Sequence, residues 1–425
     1  MIRNLIKFVR ELGTNVLKSI AFYPVLLAFA FFIIALLILK IENLEFIDAI
    51  KQELPFLFIS DYETARAILT TFIGGIISLT VFSFSMVMVV LNQASSNFSP
   101  RLLPNLVSNK KHQIILGVYI GTLLYFIFIL IALGAEGVES NSIGLSTMLA
   151  AIFGVVCVGL FVYFIHNISI AIQINNIIDR IYTSSSKSLE KAYKKQQDKI
   201  ALRHSDSAGF TPVLSNKTGY FSGFYVSLMA ENLKSNGFQF NIVPYLNQHI
   251  YKGDVIAEVS ENLSDEEEKA LLFCFTISTN RHDGDEGISG LIKLSEIAVK
   301  AMSPGINDPG TAIEAIVKIG KLLYKTVAFA NATSHKLENK NLIIVTHNIS
   351  VDELLRIIIQ PIRFYAKEDC LVLFQLIKSL QYVLRNPKIS IDNKHSLETE
   401  LTNLKFDIQG NIKNKVDQKK LLEAF

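Results

Sequence analysis

The sequence predicts a membrane protein with four α-helical transmembrane spans, followed by an α+β region that combines a small β-barrel-like part with a helical C-terminal part. Three observations predict this class. Half of the 425 residues are hydrophobic and only 19% are charged, a balance too apolar for a soluble protein of this length. The apolar excess is concentrated in residues 1–175, and the later residues have the composition of a globular protein. Four apolar runs are each long enough to span a bilayer, which takes about 20 residues.

The four predicted spans follow one another in the N-terminal part of the chain. They cover about residues 20–41, 65–91, 114–135 and 143–172. The first run is too long for the apolar core of a signal peptide, and no small-residue cleavage pattern follows it, so we predict an uncleaved anchor. In the third run, Gly117 and Gly121 form a GxxxG pair, which favours close helix packing.

The segment before the first span, residues 1–19, places apolar side chains at helical spacing with basic side chains between them. This pattern is typical of a helix that lies on an anionic membrane surface. A simple cytoplasmic extension of the first span is the alternative.

The charges of the loops predict the orientation of the spans. Basic residues cluster before the first span, between the second and third, and after the fourth, whereas the other two loops are acidic. Cytoplasmic loops of membrane proteins carry an excess of Lys and Arg. We therefore predict a multi-pass protein of the inner (cytoplasmic) membrane with both termini in the cytoplasm.

One side of the second span is lined with small and hydroxyl residues, and Thr71, Ser78 and Ser85 recur at seven-residue intervals. Such a stripe fits either close helix packing or the wall of a watery passage. The sequence that follows brings amides, hydroxyls and an arginine to the cytoplasmic end of this helix, as a capped helix end or as a vestibule that ions enter. The candidate pore-lining residues are Thr71, Gly74, Ser78, Ser85, Asn92, Ser96 and Arg101.

Composition and patterning divide the chain into five predicted regions. They are an interfacial basic helix over 1–19, a four-helix transmembrane domain over 20–175, a helical connector over 176–204, a small β-rich domain over 205–262 and a mainly helical cytoplasmic domain over 263–425. The helical stripe of the fourth span continues into the connector, where the serine run 184–186 is the expected place for a break. Residues 205–218 are expected to form a linker.

Short strands are predicted in the β-rich domain over 219–225, 238–244 and 255–259, with a turn over 251–254. The segment 249–257 resembles the turn-and-strand signature of lipoyl- and biotin-carrier barrels, but it lacks the exposed lysine that would carry a cofactor at a hairpin tip. We therefore expect a small barrel with an architectural role.

The turn Ser303–Pro309 is the most distinctive element outside the predicted spans, and helices are expected on both sides of it. Asn307 or Asp308 is expected to cap the second helix, with Pro309 in its first turn. The turn is either a rigid connection or a contact site for a ligand or a second subunit. The residues that would form this site are Arg281, Ser303, Pro304, Asn307, Asp308 and Pro309.

The sequence shows none of the common patterns of catalytic or metal-binding sites. The sequence contains no Gly-rich phosphate loop, zinc-protease helix or nucleophile elbow. The acidic segment 283–286 fails as a calcium loop, because its twelfth position is Leu294 where a glutamate is required. We therefore predict no catalytic residue, metal site or cofactor, and the small net charge of +3 does not indicate a nucleic-acid partner.

Two segments carry a likeness to a known family. Asn92–Leu103 and Ser303–Pro309, with the Gly253-Asp254 turn between them, resemble the signature segments of a bacterial inner-membrane family known as predicted membrane proteins with a domain of unknown function. The likeness covers roughly residues 15–385. It implies four N-terminal spans and a soluble C-terminal region, and it implies no activity, cofactor or catalytic residue.

Three functions remain open at this point. The first is a homo-oligomeric ion channel or small-solute pore in the lipid bilayer, with the second span lining the path and a cytoplasmic gating or vestibule domain. The second is a membrane-anchored scaffold or sensor that acts through its cytoplasmic domain. The third is a membrane-bound enzyme, which the lack of any catalytic pattern disfavours.

Overall fold

The computed structural model describes most of the chain. The described residues are 19, 21–42, 44–53, 58–59, 61–97, 110–134, 144–171, 173–197, 209–235, 237–279, 281, 286–330, 332–336 and 342–425. The chain divides into two compact units, Met1–Gln173 and Ile174–Phe425. Apart from Ser19, the predicted interfacial helix lies outside the described residues.

The first unit is built from α-helices. They are α1 (Phe22–Ile41), α2 (Glu45–Glu53), α3 (Tyr62–Asn97), α4 (Lys110–Leu133) and α5 (Gly144–Ala171). Helices α1, α3, α4 and α5 are long and apolar enough to cross a membrane, which confirms the four predicted spans. Helix α3 begins earlier than predicted, because the Asp61 carboxylate accepts hydrogen bonds from the Thr64 amide (2.8 Å) and hydroxyl (2.5 Å).

Close packing of α1 against α4 depends on the predicted GxxxG pair. A Cβ atom at Gly117 would lie 3.0 Å from the Pro24 Cα, and one at Gly121 would lie 2.8 Å from the Phe31 ring. Any larger residue at these positions would therefore push the two helices apart. The core around them is aromatic and aliphatic, and it includes the fully buried side chains of Tyr119, Tyr125, Phe126 and Ile129.

The second unit mixes helices and strands. Its helices are α6 (Ile174–Gln197), α7 (Glu231–Ser235), α8 (Asp265–Leu272), α9 (Glu286–Ala301), α10 (Pro309–Thr326), α11 (Val351–Ile358), α12 (Gln360–Tyr365), α13 (Cys370–Leu384), α14 (Ile391–Asn411) and α15 (Lys415–Leu422). Its strands are β1 (Thr211–Leu214), β2 (Gly219–Phe224), β3 (Gln239–Ile242), β4 (His249–Ile250), β5 (Val255–Val259), β6 (Phe275–Ser278), β7 (Ala332–Lys336) and β8 (Ile343–His347).

The strands form two open sheets, so the prediction of a β-barrel-like part is wrong for the described residues. The larger sheet has the order β1-β5-β3-β8-β7 and the smaller one β4-β2-β6. Strand β3 pairs antiparallel with β5 and parallel with β8, which lies about a hundred residues further along the chain. The predicted turn before β5 is present, with the Gly253 amide donating to the Ser215 carbonyl at 2.9 Å.

Part of the expected linker is a strand. Within 205–218, β1 pairs antiparallel with β5, and its Val213 side chain is buried in the core of the sheet. Strand pairing and burial of one apolar side chain therefore order a segment whose composition is typical of a linker.

Helix α6 also differs from the expectation. The helical path is interrupted at Gln173, before α6, and α6 runs without a break through the serine run 184–186. Ser185 is buried there because α6 packs against α9 at Gly290, where an added Cβ would lie 2.7 Å from the Ser185 Cβ. Small residues on both helices permit this close approach, which explains serines in mid-helix. Helix α6 also packs against α10.

Candidate functional site

A line of buried and half-buried side chains on α3 faces the other spans, and the neighbouring Ile73 and Val87 also pack against their core. The members of this line are spaced alternately four and three residues apart, and each is buried or half-buried. We call this the bundle seam, and it consists of Ala65, Leu69, Phe72, Ile76, Leu79, Ser83, Met86 and Val90. The alternating spacing is that of helices packed side by side.

A second seam with the same spacing runs along the opposite side of α3. Each member follows a bundle-seam residue by two positions, which corresponds to about 200° of rotation around the helix. We call it the outer seam, and it consists of Ala67, Thr71, Gly74, Ser78, Val81, Ser85, Met88 and Asn92. Every member is exposed on the surface of the chain. The structure therefore brings five of the predicted pore-lining residues, Thr71, Gly74, Ser78, Ser85 and Asn92, onto one face.

Two hydroxyl groups of the outer seam, those of Thr71 and Ser78, bond to their own helix. Thr71 Oγ1 donates to the Ala67 carbonyl at 2.8 Å, and Ser78 Oγ donates to the Gly74 carbonyl at 2.9 Å. The hydroxyl protons are thereby satisfied, and the oxygen lone pairs face away from the helix. The oxygens of these two hydroxyl groups can still accept a hydrogen bond from water or bind a cation.

For two other predicted pore-lining residues, Ser96 and Arg101, the structure does not describe the side chain. Ser96 belongs to α3, but its side chain lies outside the described part, and Arg101 lies outside the described residues altogether. Ser83, a neighbour of the stripe in sequence, is only 3% exposed and belongs to the bundle seam.

The turn Ser303–Pro309 is held by bonds within itself. Asp308 caps α10, accepting from the Thr311 amide at 3.1 Å and the Thr311 hydroxyl at 2.6 Å, and Pro309 is the first helical residue, as predicted. These bonds, the hydroxyl bond first, lower the pKa of Asp308 below 3.8. Ser303 Oγ donates to the Lys300 carbonyl at 2.6 Å, and Asn307 has a left-handed backbone with φ of 48°. This geometry supports the interpretation as a rigid connection.

The remaining residues predicted for the turn site show two different environments. Pro304 is exposed within the turn, whereas the guanidinium of Arg281 lies 6.0 Å from the centre of the Tyr220 ring. Arg281 thus stacks on strand β2, an arrangement that the sequence did not indicate.

Sequence reasoning missed a buried carboxylate at the end of the first span. Glu42 is 1% exposed, and it accepts from the backbone amides of Leu145 (2.6 Å) and Ser146 (3.0 Å) and from the Ser146 hydroxyl. The Lys51 ammonium lies 3.3 Å from it, with that side chain 8% exposed. Glu42 therefore caps the positive N-terminal end of α5 and joins it to α1 and α2. In the sequence it is one of several acids in a loop, and no local pattern distinguishes it.

Comparisons with known proteins agree with this architecture. Uncharacterized proteins of Mycobacterium bovis and of two Mycobacterium tuberculosis strains are 25% identical to the chain over 262 residues, which cover 59% of this chain and 49% of each relative. The matched region thus spans about half the length of these curated relatives. No solved structure matches the chain. Residues 18–382 match the model of a family described as "Predicted membrane protein (DUF2254)". This match confirms the resemblance found in the sequence, and the chain belongs to the DUF2254 family of membrane proteins.

Proposed function

We propose that this membrane protein forms a homo-oligomer in which copies of α3 surround a central path for ions or small solutes. The observation that supports this proposal is the outer seam, which has the spacing of a helix-packing surface and yet is exposed along its whole length. Six of its eight residues are small or polar, whereas neighbouring exposed positions of α3, such as Ile77 and Phe84, are large and apolar.

The composition of the outer seam fits a path between subunits better than a surface against lipid. Glycine and alanine allow helices to approach closely, and hydroxyl and amide groups at every seventh residue would form successive polar rings in a symmetric oligomer. Four helices of one chain do not enclose a water-filled path, so the path requires several copies. The second unit would then act as a cytoplasmic gating or vestibule domain.

The lack of charged side chains in the outer seam bears on the type of transport, passive or coupled. The outer seam carries no Asp, Glu, Lys or Arg between residues 67 and 92. Coupled transporters and proton pumps use ionisable groups inside the membrane. We therefore infer passive conduction.

Cysteine accessibility along α3 tests this proposal. Single cysteines replace Thr71, Ser78 and Ser85 in a chain whose native cysteines, Cys157, Cys274 and Cys370, are changed to alanine. Matched controls are Ile77→Cys and Phe84→Cys, which are also exposed but lie about 100° away around the helix. A membrane-impermeant thiol reagent such as MTSET should modify the three outer-seam cysteines and spare the two controls.

The other outcomes of this experiment separate the alternatives. Protection at 71, 78 and 85 together with disulfide cross-linking of Gly74→Cys between copies would keep the oligomer and remove the path. Protection at 71, 78 and 85 without cross-linking would refute both. Conductance of the purified protein in liposomes, reduced by Ser78→Leu and unchanged by Ile77→Leu, would complete the evidence for a channel.

A second candidate function is a membrane-anchored sensor that acts through Ile174–Phe425. The observation that favours it is a cavity of about 420 Å³ within this unit. Liposomes without any conductance, combined with ligand binding by the purified full-length protein, would favour the sensor.

A further inference from the structure

The cavity in the second unit lies where two parallel strands end. Strands β3 and β8 run side by side in the same direction, and residues just beyond both of their carboxyl ends, Pro244, Tyr245 and Asn348 among them, line the cavity. In sheets with parallel strands, ligands are commonly bound beyond the carboxyl ends of the strands. The volume of about 420 Å³ lies in the range typical of small-molecule sites.

The wall of the cavity is rich in aromatic rings. They come from three different parts of the unit, namely β2 and the residue after it, the segment after β3, and the segment after α10. These rings are Phe221, Phe224, Tyr225, Tyr245 and Phe329. Rings from several directions favour a flat ligand that stacks on one ring and contacts the edges of others.

One edge of the cavity is polar and its histidine is held in place. Asn241 on β3 lies directly opposite Glu258 on β5 and donates to its carboxylate through Nδ2 at 2.8 Å. Since that carboxylate is an acceptor, the Asn241 Oδ1 faces His347, and the His347 Nε2 donates to it at 2.7 Å. This chain of bonds fixes the orientation of the His347 imidazole, and His347 is one of the residues that line the cavity.

Two further side chains extend this polar edge. Thr346 and Asn348 flank His347 in the sequence and also line the cavity. The Asn348 Nδ2 donates to the Ala330 carbonyl at 2.8 Å, which positions the amide beside the cavity wall. The Thr346 hydroxyl also bonds to the Thr333 hydroxyl at 3.1 Å, and because hydroxyl and amide oxygens accept more than one hydrogen bond, Thr346 and Asn348 can each accept from the edge of a heteroaromatic ring.

Positive charge lies near the aromatic part of the cavity. Burial raises the pKa of Tyr245, as does the charge of Glu353, while the charges of Arg281 and Arg356 act on the same hydroxyl in the opposite direction. Arg356 is engaged in a two-point bond with Glu353, at 2.9 and 2.7 Å. Arg281 stacks on the Tyr220 ring and is exposed, so its guanidinium is accessible to an anion from solvent.

We propose that this cavity binds a heteroaromatic anion of about the size of a nucleoside monophosphate. The aromatic wall stacks the ring, the Thr346–Asn348 edge bonds to its heteroatoms, and Arg281 pairs with the anionic group. An aromatic cage for an organic cation is disfavoured, because the charges of Arg281 and Arg356 act on the Tyr245 hydroxyl against the single charge of Glu353. The inference concerns the second unit alone and does not depend on conduction through the first.

Calorimetric titration of the full-length protein in lipid nanodiscs tests the inference. The probes are AMP, GMP, CMP and UMP, each compared with its neutral nucleoside. At least one nucleotide should bind saturably and at least about tenfold more tightly than its nucleoside, because the nucleoside lacks the charge-assisted bond to arginine.

Substitutions in and near the cavity test whether the nucleotide binds there. Arg281→Gln should reduce the preference for nucleotide over nucleoside to about threefold or less, since the charge-assisted pair is lost. Ala330→Trp at the rim and Ile349→Trp in the wall should each abolish binding, and Arg385→Gln, an exposed arginine that does not line the cavity, should leave it unchanged. Thermal melting by circular dichroism confirms that each variant is folded.

Three results would overturn the inference. They are the absence of saturable binding for all four nucleotides, equal affinity for nucleotide and nucleoside, and binding that persists in both folded tryptophan variants.

Discussion

Replacement of Glu42 should destabilise the first unit more than any exposed acidic substitution. The carboxylate caps the first turn of α5 through two backbone amides and pairs with Lys51 at 3.3 Å, and both charged side chains are almost fully buried. Glu42→Ala removes these acceptors and leaves the Lys51 ammonium without this carboxylate. Loss of one partner of a buried ion pair costs about 3–5 kcal/mol of unfolding free energy, and we expect that range here.

The conservative variant Glu42→Gln should lower the unfolding free energy by less than Glu42→Ala does. Glu42→Gln keeps the shape and one acceptor oxygen, but it removes the negative charge, and its NH₂ group faces either an amide donor or the ammonium. We expect a loss of about 1.5–3 kcal/mol, the value of a hydrogen bond to a charged group. Because Lys51→Met removes the opposing charge, the double variant should be more stable than the sum of single effects predicts, by about 0.5–3 kcal/mol.

The measurement is equilibrium unfolding in mixed micelles during titration with SDS, followed by far-UV circular dichroism because the chain has no tryptophan. Glu63→Gln, an exposed acid in the first turn of α3, is the matched control and should change stability by less than about 0.5 kcal/mol. A loss below about 1 kcal/mol for Glu42→Ala, or strict additivity with Lys51→Met, would refute the assignment of Glu42 as a buried cap and ion-pair partner.

Three further substitutions test other contacts. Gly290→Ala should destabilise the second unit by about 1–3 kcal/mol through overlap with Ser185, and Ser185→Gly should recover part of this loss in thermal melts. Asp308→Ala should cost about 1 kcal/mol at pH 7. Because the folded state lowers the pKa of Asp308 below 3.8, this stabilisation is present above that pH and should disappear as the pH falls through the folded value, whereas Asp308→Asn keeps the cap and abolishes the pH dependence. Gly74→Ala should leave the unfolding free energy of the first unit unchanged or raise it by about 0.5–1 kcal/mol, because a Cβ built there meets nothing within 4 Å. The same substitution should reduce cross-linking between copies. Destabilisation of the isolated unit by Gly74→Ala would contradict this reasoning.

The elements that the sequence predicted well are those whose determinants are local. Hydropathy over some 20 residues identifies a span, and the Asp308-Pro309 pair marks the start of α10 at the position found. In each case, the residues that determine the element lie within one or two helical turns of it.

The sheets could not be predicted in the same way. The turn over 251–254 and strand β5 are visible locally, but the second neighbour of β3 is β8, and no local pattern connects them. A turn-and-strand signature that occurs in barrels is compatible with an open sheet, since closure depends on which strands pair at the edges. Likewise, serines in α6 indicated a break that the contact with Gly290 overrides.

The sequence predicted the stripe of small and hydroxyl residues on α3, but it did not predict that this stripe is exposed on the surface of the chain. Both seams of α3 repeat with the same period, so spacing alone does not say which one faces the other spans. The larger side chains determine which seam faces the other spans, because Leu69, Phe72 and Ile76 fill the bundle core while the outer seam offers little apolar surface to bury.

The cavity in the second unit was not predicted at all, since its lining comes from segments between residues 189 and 351.

The glycines of α3 supply the strongest physical argument for a partner outside the chain. Glycine inside a helix costs roughly 0.5–1 kcal/mol relative to alanine, and this cost is usually offset by close packing. Gly117 and Gly121 follow that rule, because helix α1 occupies the space where their side chains would be. Among the described residues, no atom lies within 4 Å of a Cβ built at Gly74 or Gly75, so this part of the chain offsets neither cost by close packing. In the proposed oligomer, a second copy of α3 on the outer seam would supply that contact at Gly74.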